Sequence, residues 1–280
     1  MNNERNPRIA FIGGGNMARA LIGGLLRQGE SAQQLCVGEP LPAARAALER
    51  ELAVRTAGDN RQAIQGAAVV VLAVKPQVAA QVLQHLQPTL LELRPVLLSI
   101  VAGVRIADLA RLCPDGLAIV RAMPNRPALV GAGITGLFAP AAVTAAQRSM
   151  SERIASAAGR VVWLRSEDEL DIVTALSGSG PAYFFLLAEE LARAGAALGL
   201  ARETAMLLAV ETLHGAGALA RSDATLAEQR AAVTSKGGTT EAALQILEAG
   251  GFQALIAGAL RAAVARSAEL ADSLASAQRS

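Results

Sequence analysis

The fold is decided near the start of the chain, in Ile9-Ala10-Phe11-Ile12-Gly13-Gly14-Gly15-Asn16-Met17-Ala18. The apolar run predicts a strand over 9–12, and apolar spacing over 17–27 predicts a helix directly behind it. Between the two, Gly13, Gly15 and Ala18 fill the pattern G-x-G-x-x-[GA] in the strand–turn–helix setting that the pattern requires. Each position has a physical task. Gly13 permits a tight turn, and Gly15 has no side chain to hold a pyrophosphate away from the backbone. Ala18 is small enough for the helix to lie on the sheet, while the helix start, with Asn16 and Met17 in its first turn, favours an anion. A plain structural turn would also use glycines. At the head of a strand–helix series, however, the pattern reads as a dinucleotide site.

Outward from this stretch the alternation continues. Strands are expected over 35–37, 69–74, 96–101 and 117–120, with helices over 42–52, 78–91 and 106–112. The run 69–74 is continuously apolar, as a strand buried on both faces must be. Two further strands, 133–138 and 161–164, flank a helix near 143–158. Such alternation implies βαβ units, and so an α/β Rossmann-type domain with a parallel sheet covered by helices, over residues 1–165. Beyond it the strand signal stops. Helical periodicity runs over 181–198, 203–220, 241–247 and 252–276, with Gly199 and Gly250-Gly251 where C-terminal caps belong. An all-α domain over 166–280 is therefore expected. Its alanine-rich helices have weak polar faces, which favours a dimerisation domain with buried outer faces over an isolated bundle.

Composition excludes several classes. Of 280 residues, 52% are hydrophobic, and the mean hydropathy is +0.35, so a sizeable core presents no difficulty. The longest stretch without a charge, between Arg126 and Arg148, is broken by Pro127, Gly131, Gly133, Gly136 and Pro140. No continuous span of about 20 apolar residues is expected, and hence no membrane partner. A net charge of +2 and 2% aromatic residues argue against a nucleic-acid partner. Two cysteines (Cys36, Cys113) and two histidines (His85, His214) offer no metal site of ordinary spacing. The cysteines read as reduced packing residues. Residues 1–8 are polar and lack an apolar signal region, so a cytoplasmic location is expected.

Other residues point to the chemistry. Glu39, 21 positions beyond Ala18, closes the second strand. An acid there accepts hydrogen bonds from ribose hydroxyls and repels a 2′-phosphate, which favours NADH over NADPH. A solvated loop glutamate is the alternative. Ala73-Val74-Lys75-Pro76 ends a strand beside the expected topological switch point, so Lys75 either lines the nicotinamide side or is an ordinary surface lysine. In the helical half, Ser177-Gly178-Ser179-Gly180-Pro181 and Ser235-Lys236-Gly237-Gly238-Thr239-Thr240 each read as a glycine-rich loop before a helix. Capping explains them. So does a site for a small carboxylate, built from free N–H groups and hydroxyls.

Taken together, Val74-Lys75-Pro76, Arg121-Ala122-Met123-Pro124-Asn125 with Pro127, Leu176-Ser177-Gly178-Ser179-Gly180-Pro181-Ala182-Tyr183 and Gly237-Gly238-Thr239-Thr240 resemble the pyrroline-5-carboxylate reductases, in order and spacing, from about residue 8 to about residue 270. The resemblance implies reduction of L-1-pyrroline-5-carboxylate to L-proline with NADPH or NADH, the last step of proline biosynthesis. It also implies a homodimer, with dimers gathered into larger rings such as a decamer. Carried over residue by residue, Gly237, Gly238 and Thr239 bind the substrate carboxylate through their backbone. Thr240 is the catalytic hydroxyl at the imine nitrogen, Val233 lines the pocket, and Asp168 and Asp223 help to retain a cationic nitrogen. Asn60, Ala73, Val74, Lys75, Pro76 and Ala102 join Gly13, Gly15, Asn16, Met17 and Glu39 at the cofactor. The chain departs from the family pattern at Lys236, where proline is common, at Ala231, where an acid is common, and at Glu39, where NADPH-preferring members carry a small hydroxyl residue.

Two other readings compete. β-Hydroxyacid dehydrogenases share the plan and the Gly178-Ser179-Gly180 turn, but follow it with a lysine and an asparagine; here Phe184 and Leu187 stand at those places. Alcohol oxidation needs a group to take the hydroxyl proton, whereas an iminium accepts hydride without one. A non-catalytic NAD(P)-binding regulator would need only the Rossmann half.

Overall fold

A computed structural model describes residues 7–277; of the polar N-terminal stretch, residues 1–6 lie outside the described part. Eight strands form one sheet in the order β3-β2-β1-β4-β5-β6-β7-β8. They are β1 (Arg8–Ile12), β2 (Leu35–Gly38), β3 (Arg55–Ala57), β4 (Ala67–Leu72), β5 (Val96–Ser99), β6 (Ile119–Met123), β7 (Gly133–Phe138) and β8 (Gly159–Trp163). The helices interleaved with them are α1 (Asn16–Arg27), α2 (Pro42–Leu52), α3 (Asn60–Ala63), α4 (Pro76–Leu93), α5 (Ile106–Leu112) and α6 (Ala145–Ser156). There follow α7 (Glu169–Val173), α8 (Gly180–Ala197), α9 (Arg202–Leu219), α10 (Leu226–Ala232), α11 (Thr239–Ala249) and α12 (Phe252–Ala277).

Alternation along the central strands explains why the sheet is covered twice. Ile9, Phe11, Val69 and Val71 enter one apolar cluster, and Ala10, Ile12, Val70 and Leu72 enter the other. A strand buried on both faces has no polar positions to spare. Burial pushes the Cys113 thiol up to about 12 and raises that of the half-buried Cys36, so both are packing residues.

Two expectations need correction here. The sheet is not wholly parallel, because β7 runs antiparallel to β6. The link between them is a short 3-10 turn, Arg126–Val130, too short to carry a crossover back to the start of a parallel neighbour. The segment expected as an open loop around Ser177 is instead a π-helical turn, Thr174–Gly178, joining α7 to α8.

By packing, the chain divides into two compact units. One takes in the chain up to Gly178 together with the part from Ala263 onward, and the other is Ser179–Ala262. The sequence-based boundary at 165/166 marks where strands end; packing places α7 and the last turns of α12 with the sheet. The second unit has little core of its own: Ala188, Ala192 and Ala209, with Leu213 against them, between α8 and α9. Leu198 is 90% exposed and Ile246 75%, so the apolar faces stay open, as an alanine-rich dimerisation unit requires. The continuous helical run Glu169–Ala197 is long and apolar enough to cross a membrane by length and composition, with mean hydropathy 1.3, contrary to the expectation from the charge-free stretches. Its apolar residues Phe184, Phe185, Leu186 and Leu187 are among the second unit's exposed side chains.

Candidate active site

The first unit gathers its candidate cofactor residues on one rim, at the carboxyl ends of β1 to β5. The backbone ladder continues just past the regular strands: Gly13 N–H donates to the Gly38 carbonyl (2.9 Å), Ala73 N–H to Ile12 (2.9 Å), Glu39 N–H to Ala57 (3.0 Å) and Ile100 N–H to Leu72 (3.1 Å). These bonds fix the glycine turn, the end of β2 and the starts of the loops after β4 and β5 side by side. The strand order reverses between β1 and β4, which makes this crevice the topological switch point.

Within the rim, Gly13 turns at φ +98°, and a Cβ there would stand 2.7 Å from the Ala73 carbonyl oxygen. A Cβ on Gly15 would meet nothing within 4 Å. Gly15 is also the N-cap of α1, where no side chain caps the helix. An open, uncapped helix N-terminus beside a bare backbone is a cradle for a pyrophosphate, so the residues fit a dinucleotide. Ala18 is buried, as close helix–sheet packing demands.

Glu39 follows β2 and is held at both oxygens. Oε2 accepts the Gly14 N–H and Oε1 the Leu41 N–H, both at 3.2 Å. The neighbouring Arg45 donates to the Glu39 carbonyl (2.9 Å) and the Pro40 carbonyl (2.8 Å). Asn60 opens α3 after β3; its Oδ1 lies 2.3 Å from where a Gly38 Cβ would stand, so glycine at the end of β2 makes room for it. Lys75 is the exposed N-cap of α4, preceded by half-buried Val74. Ala102 is exposed in the turn after β5.

Asp168 is the exposed N-cap residue of α7, with no capping bond from its side chain. Its neighbour Glu167, which the sequence reading passed over, ties this corner together. Glu167 Oε1 accepts from the buried Arg121 guanidinium at 2.6 Å and from Ile106 N–H at 2.7 Å. Asn125 plays a similar part: its Nδ2 donates to the Ser177 carbonyl (3.1 Å), and its Oδ1 accepts Ile134 N–H (2.9 Å). Gly178 packs against Met123, whose Cε is 2.8 Å from a hypothetical Cβ. Arg121–Asn125 and Leu176–Gly178 thus hold one another.

In the second unit, Val233 caps the end of α10 and is 63% exposed. A turn closed by Gly238 N–H to the Ser235 carbonyl (3.0 Å) then leads into α11. Gly238 is the N-cap of that helix, without a side-chain cap, and Thr240 is half-buried in its first turn. Val233 and Gly237 to Thr240 are therefore together. Asp223 is not with them; it lies in the turn beyond the other end of α10, a helix begun by the Thr225–Glu228 capping box. Glu241 is a further addition. Its carboxylate accepts the Gly237 N–H at 2.7 Å, showing that this backbone donor suits a carboxylate.

A doubly covered Rossmann-type sheet with this rim, and a helical unit bearing an uncapped glycine turn, define a nicotinamide-nucleotide-dependent oxidoreductase. Residues 167–270 match the family described as pyrroline-5-carboxylate reductase dimerisation, and residues 8–103 match NADP oxidoreductase, coenzyme F420-dependent. The chain is 48% identical to the pyrroline-5-carboxylate reductase of Pseudomonas aeruginosa, over 96% of this chain and 98% of that protein. It is 42% identical to that of Haemophilus influenzae, over 94% and 97%. Among solved structures, a pyrroline-5-carboxylate reductase from Coxiella burnetii superposes with TM-score 0.92 at 42% identity, covering 95% of this chain and 99% of that one. The Plasmodium falciparum pyrroline carboxylate reductase with NADP bound gives 0.81 at 29% identity, covering 95% and 98%. The chain belongs to the pyrroline-5-carboxylate reductase family.

Proposed function

We propose that the protein reduces L-1-pyrroline-5-carboxylate to L-proline, closing proline biosynthesis, with NADH or NADPH as reductant. The observation that carries this is the full-length identity of 48% to a pyrroline-5-carboxylate reductase. When bound, the reduced nicotinamide supplies a hydride to the C=N carbon. The protein's own residues bind, orient and hold the proton. Gly13, Gly15 and the start of α1, with Asn16 and Met17, receive the pyrophosphate. Asn60, Ala73, Val74, Lys75, Pro76 and Ala102 flank the rest of the cofactor along the rim.

The backbone of Gly237, Gly238 and Thr239 takes the substrate carboxylate. Glu241 must then yield Gly237 N–H, since two carboxylates do not share one donor without repulsion. The Thr240 hydroxyl stands at the ring nitrogen, holding the proton that makes the imine a strong acceptor and that remains on the amine. Val233 lines the pocket, and by the family resemblance Asp168 adds negative charge towards a cationic nitrogen, whereas Asp223, beyond the other end of α10, does not. No alcohol proton has to be removed, so apolar Phe184 and Leu187 cost the reaction nothing.

Glu39 supports NADH as the preferred reductant. Its carboxylate is anchored by Gly14 and Leu41, and Arg45, the nearby cation, is engaged with two carbonyls. A 2′-phosphate brought there would face a fixed negative charge. The working form is a homodimer, the family resemblance supports its assembly into a decameric ring, and its place is the cytoplasm. Thr240→Ala is expected to lower kcat/KM for the imine by about 10- to 100-fold, the scale of one hydrogen bond made at the transition state. Unchanged kinetics would remove Thr240 from the mechanism.

A further inference from the structure

We propose that the last turns of α12 are a positioning element for the nicotinamide side of the rim, holding the Ala102–Gly103 turn and α7 in one fixed relation. Three sets of contacts within the first unit carry this. Gly103 turns at φ +74°; a Cβ there would lie 3.3 Å from Leu274 Cδ1 and 3.9 Å from the Ala271 backbone. Leu274 packs into the same apolar cluster as Val101 and Val104, the buried residues on either side of the turn. The turn is thus clamped between its own anchors and the helix, and glycine is the residue its left-handed backbone favours there.

On the same helix, Ser267 is 8% exposed and donates its hydroxyl to Asp171 Oδ1 at 2.6 Å. Asp171 belongs to α7, which Asp168 begins. Further along the helix, Asp272 pairs with Arg105 at 3.2 Å. Arg105 is the N-cap of α5, and the next N–H, that of Ile106, is held by Glu167 beside Asp168. Residues 103–106, 167–171 and 267–274 therefore close a ring of contacts. The exposed Arg105–Asp272 pair adds little energy by itself. The buried hydroxyl bond and the Leu274 contact are what set the geometry.

The function of this ring follows from its place. Ala102 sits at the end of β5, on the side of the switch point away from the glycine turn, where the second half of a dinucleotide lies. Asp168 is the residue of α7 to which the family resemblance gives a part beside the substrate. A helix that fixes both governs the approach of hydride donor to acceptor, in which small misplacements cost rate steeply. This inference rests on the proposed reaction and on the roles given there to Ala102 and Asp168.

The test uses the full-length dimer. Leu274→Ala, Leu274→Met, Asp171→Ala and Asp171→Asn are compared with the parent chain in kcat, KM for the imine, and affinity for ADP-ribose, which lacks the nicotinamide. Expected are a kcat lowered about tenfold in Leu274→Ala and Asp171→Ala, with ADP-ribose affinity held within about twofold. Leu274→Met, which conserves volume, and Asp171→Asn, which still accepts the Ser267 hydroxyl, should recover most of the rate. If one alanine variant fails to fold, the other decides, because Leu274 and Asp171 take part in separate contacts of the same helix. Unchanged kcat in both alanine variants, ADP-ribose affinity falling in step with kcat, or conservative variants as slow as the alanines would overturn the proposal. A parent chain that binds ADP-ribose but turns over no imine would overturn the reaction beneath it, and this inference with it.

Discussion

At Gly13 the chain itself demands glycine, through its positive φ and the Ala73 carbonyl 2.7 Å from a Cβ position. At Gly15 the chain demands nothing: φ is −70°, and a side chain would enter open space. That contrast leaves Gly15 open for the cofactor role proposed for it. Gly15→Leu should leave thermal stability within the range of a harmless surface substitution, about 0.5 kcal/mol, while NADH affinity falls at least about 100-fold. Titration calorimetry beside a melting curve checks both, and normal NADH binding would displace the pyrophosphate from this turn. Such residues were legible because motif and context are local. Glu167, Ser267 and Leu274 were not. Their partners lie far away in sequence, with Ser267 and Asp171 separated by 96 positions, and no periodicity announces such a pair.

Among the elements, those with a clear apolar pattern were readable and the shortest ones were not. The helix expected over 106–112 and the strand over 133–138 match α5 and β7 residue for residue, the first through its apolar spacing and the second through Ile134, Leu137 and Phe138 in a short stretch closed by Pro140. The strand expected over 69–74 ends earlier, at Leu72, so the quoted Ala73–Lys75 stretch is rim loop rather than strand. β3 escaped notice as a three-residue edge strand with exposed Arg55. α3 and α7, of four and five residues, are too short to show a period, and α10, with only Leu226 as a large apolar residue, has no apolar stripe to show one. The Ser177 segment misled for another reason. Its serines and glycines mimic a loop, yet Ser177 Oγ bonds back to the Val173 carbonyl at 3.0 Å and the turn widens rather than opens.

On the scale of the whole molecule, the second unit cannot bury its apolar side chains alone, and its sequence said so through alanine-rich helices without polar faces. The homodimer is therefore part of its stability. The melting temperature should rise with protein concentration, and dilution below the dimer dissociation constant should cost helical circular dichroism. A concentration-independent transition in a protein shown by sedimentation to be monomeric would contradict this. Membership of the family fixes the broad reaction, and the residues proposed for it are those of the first unit's rim and of the second unit's glycine turn before α11.

The most direct measurement of the central claim is the oxidation of NADH and of NADPH with L-1-pyrroline-5-carboxylate, run beside NAD+ reduction with 3-hydroxyisobutyrate. The account predicts that both reduced cofactors are consumed only with the imine, that proline is formed, and that NADH has the higher kcat/KM because of Glu39. No turnover with the imine, or reduction of NAD+ by the hydroxyacid, would contradict it.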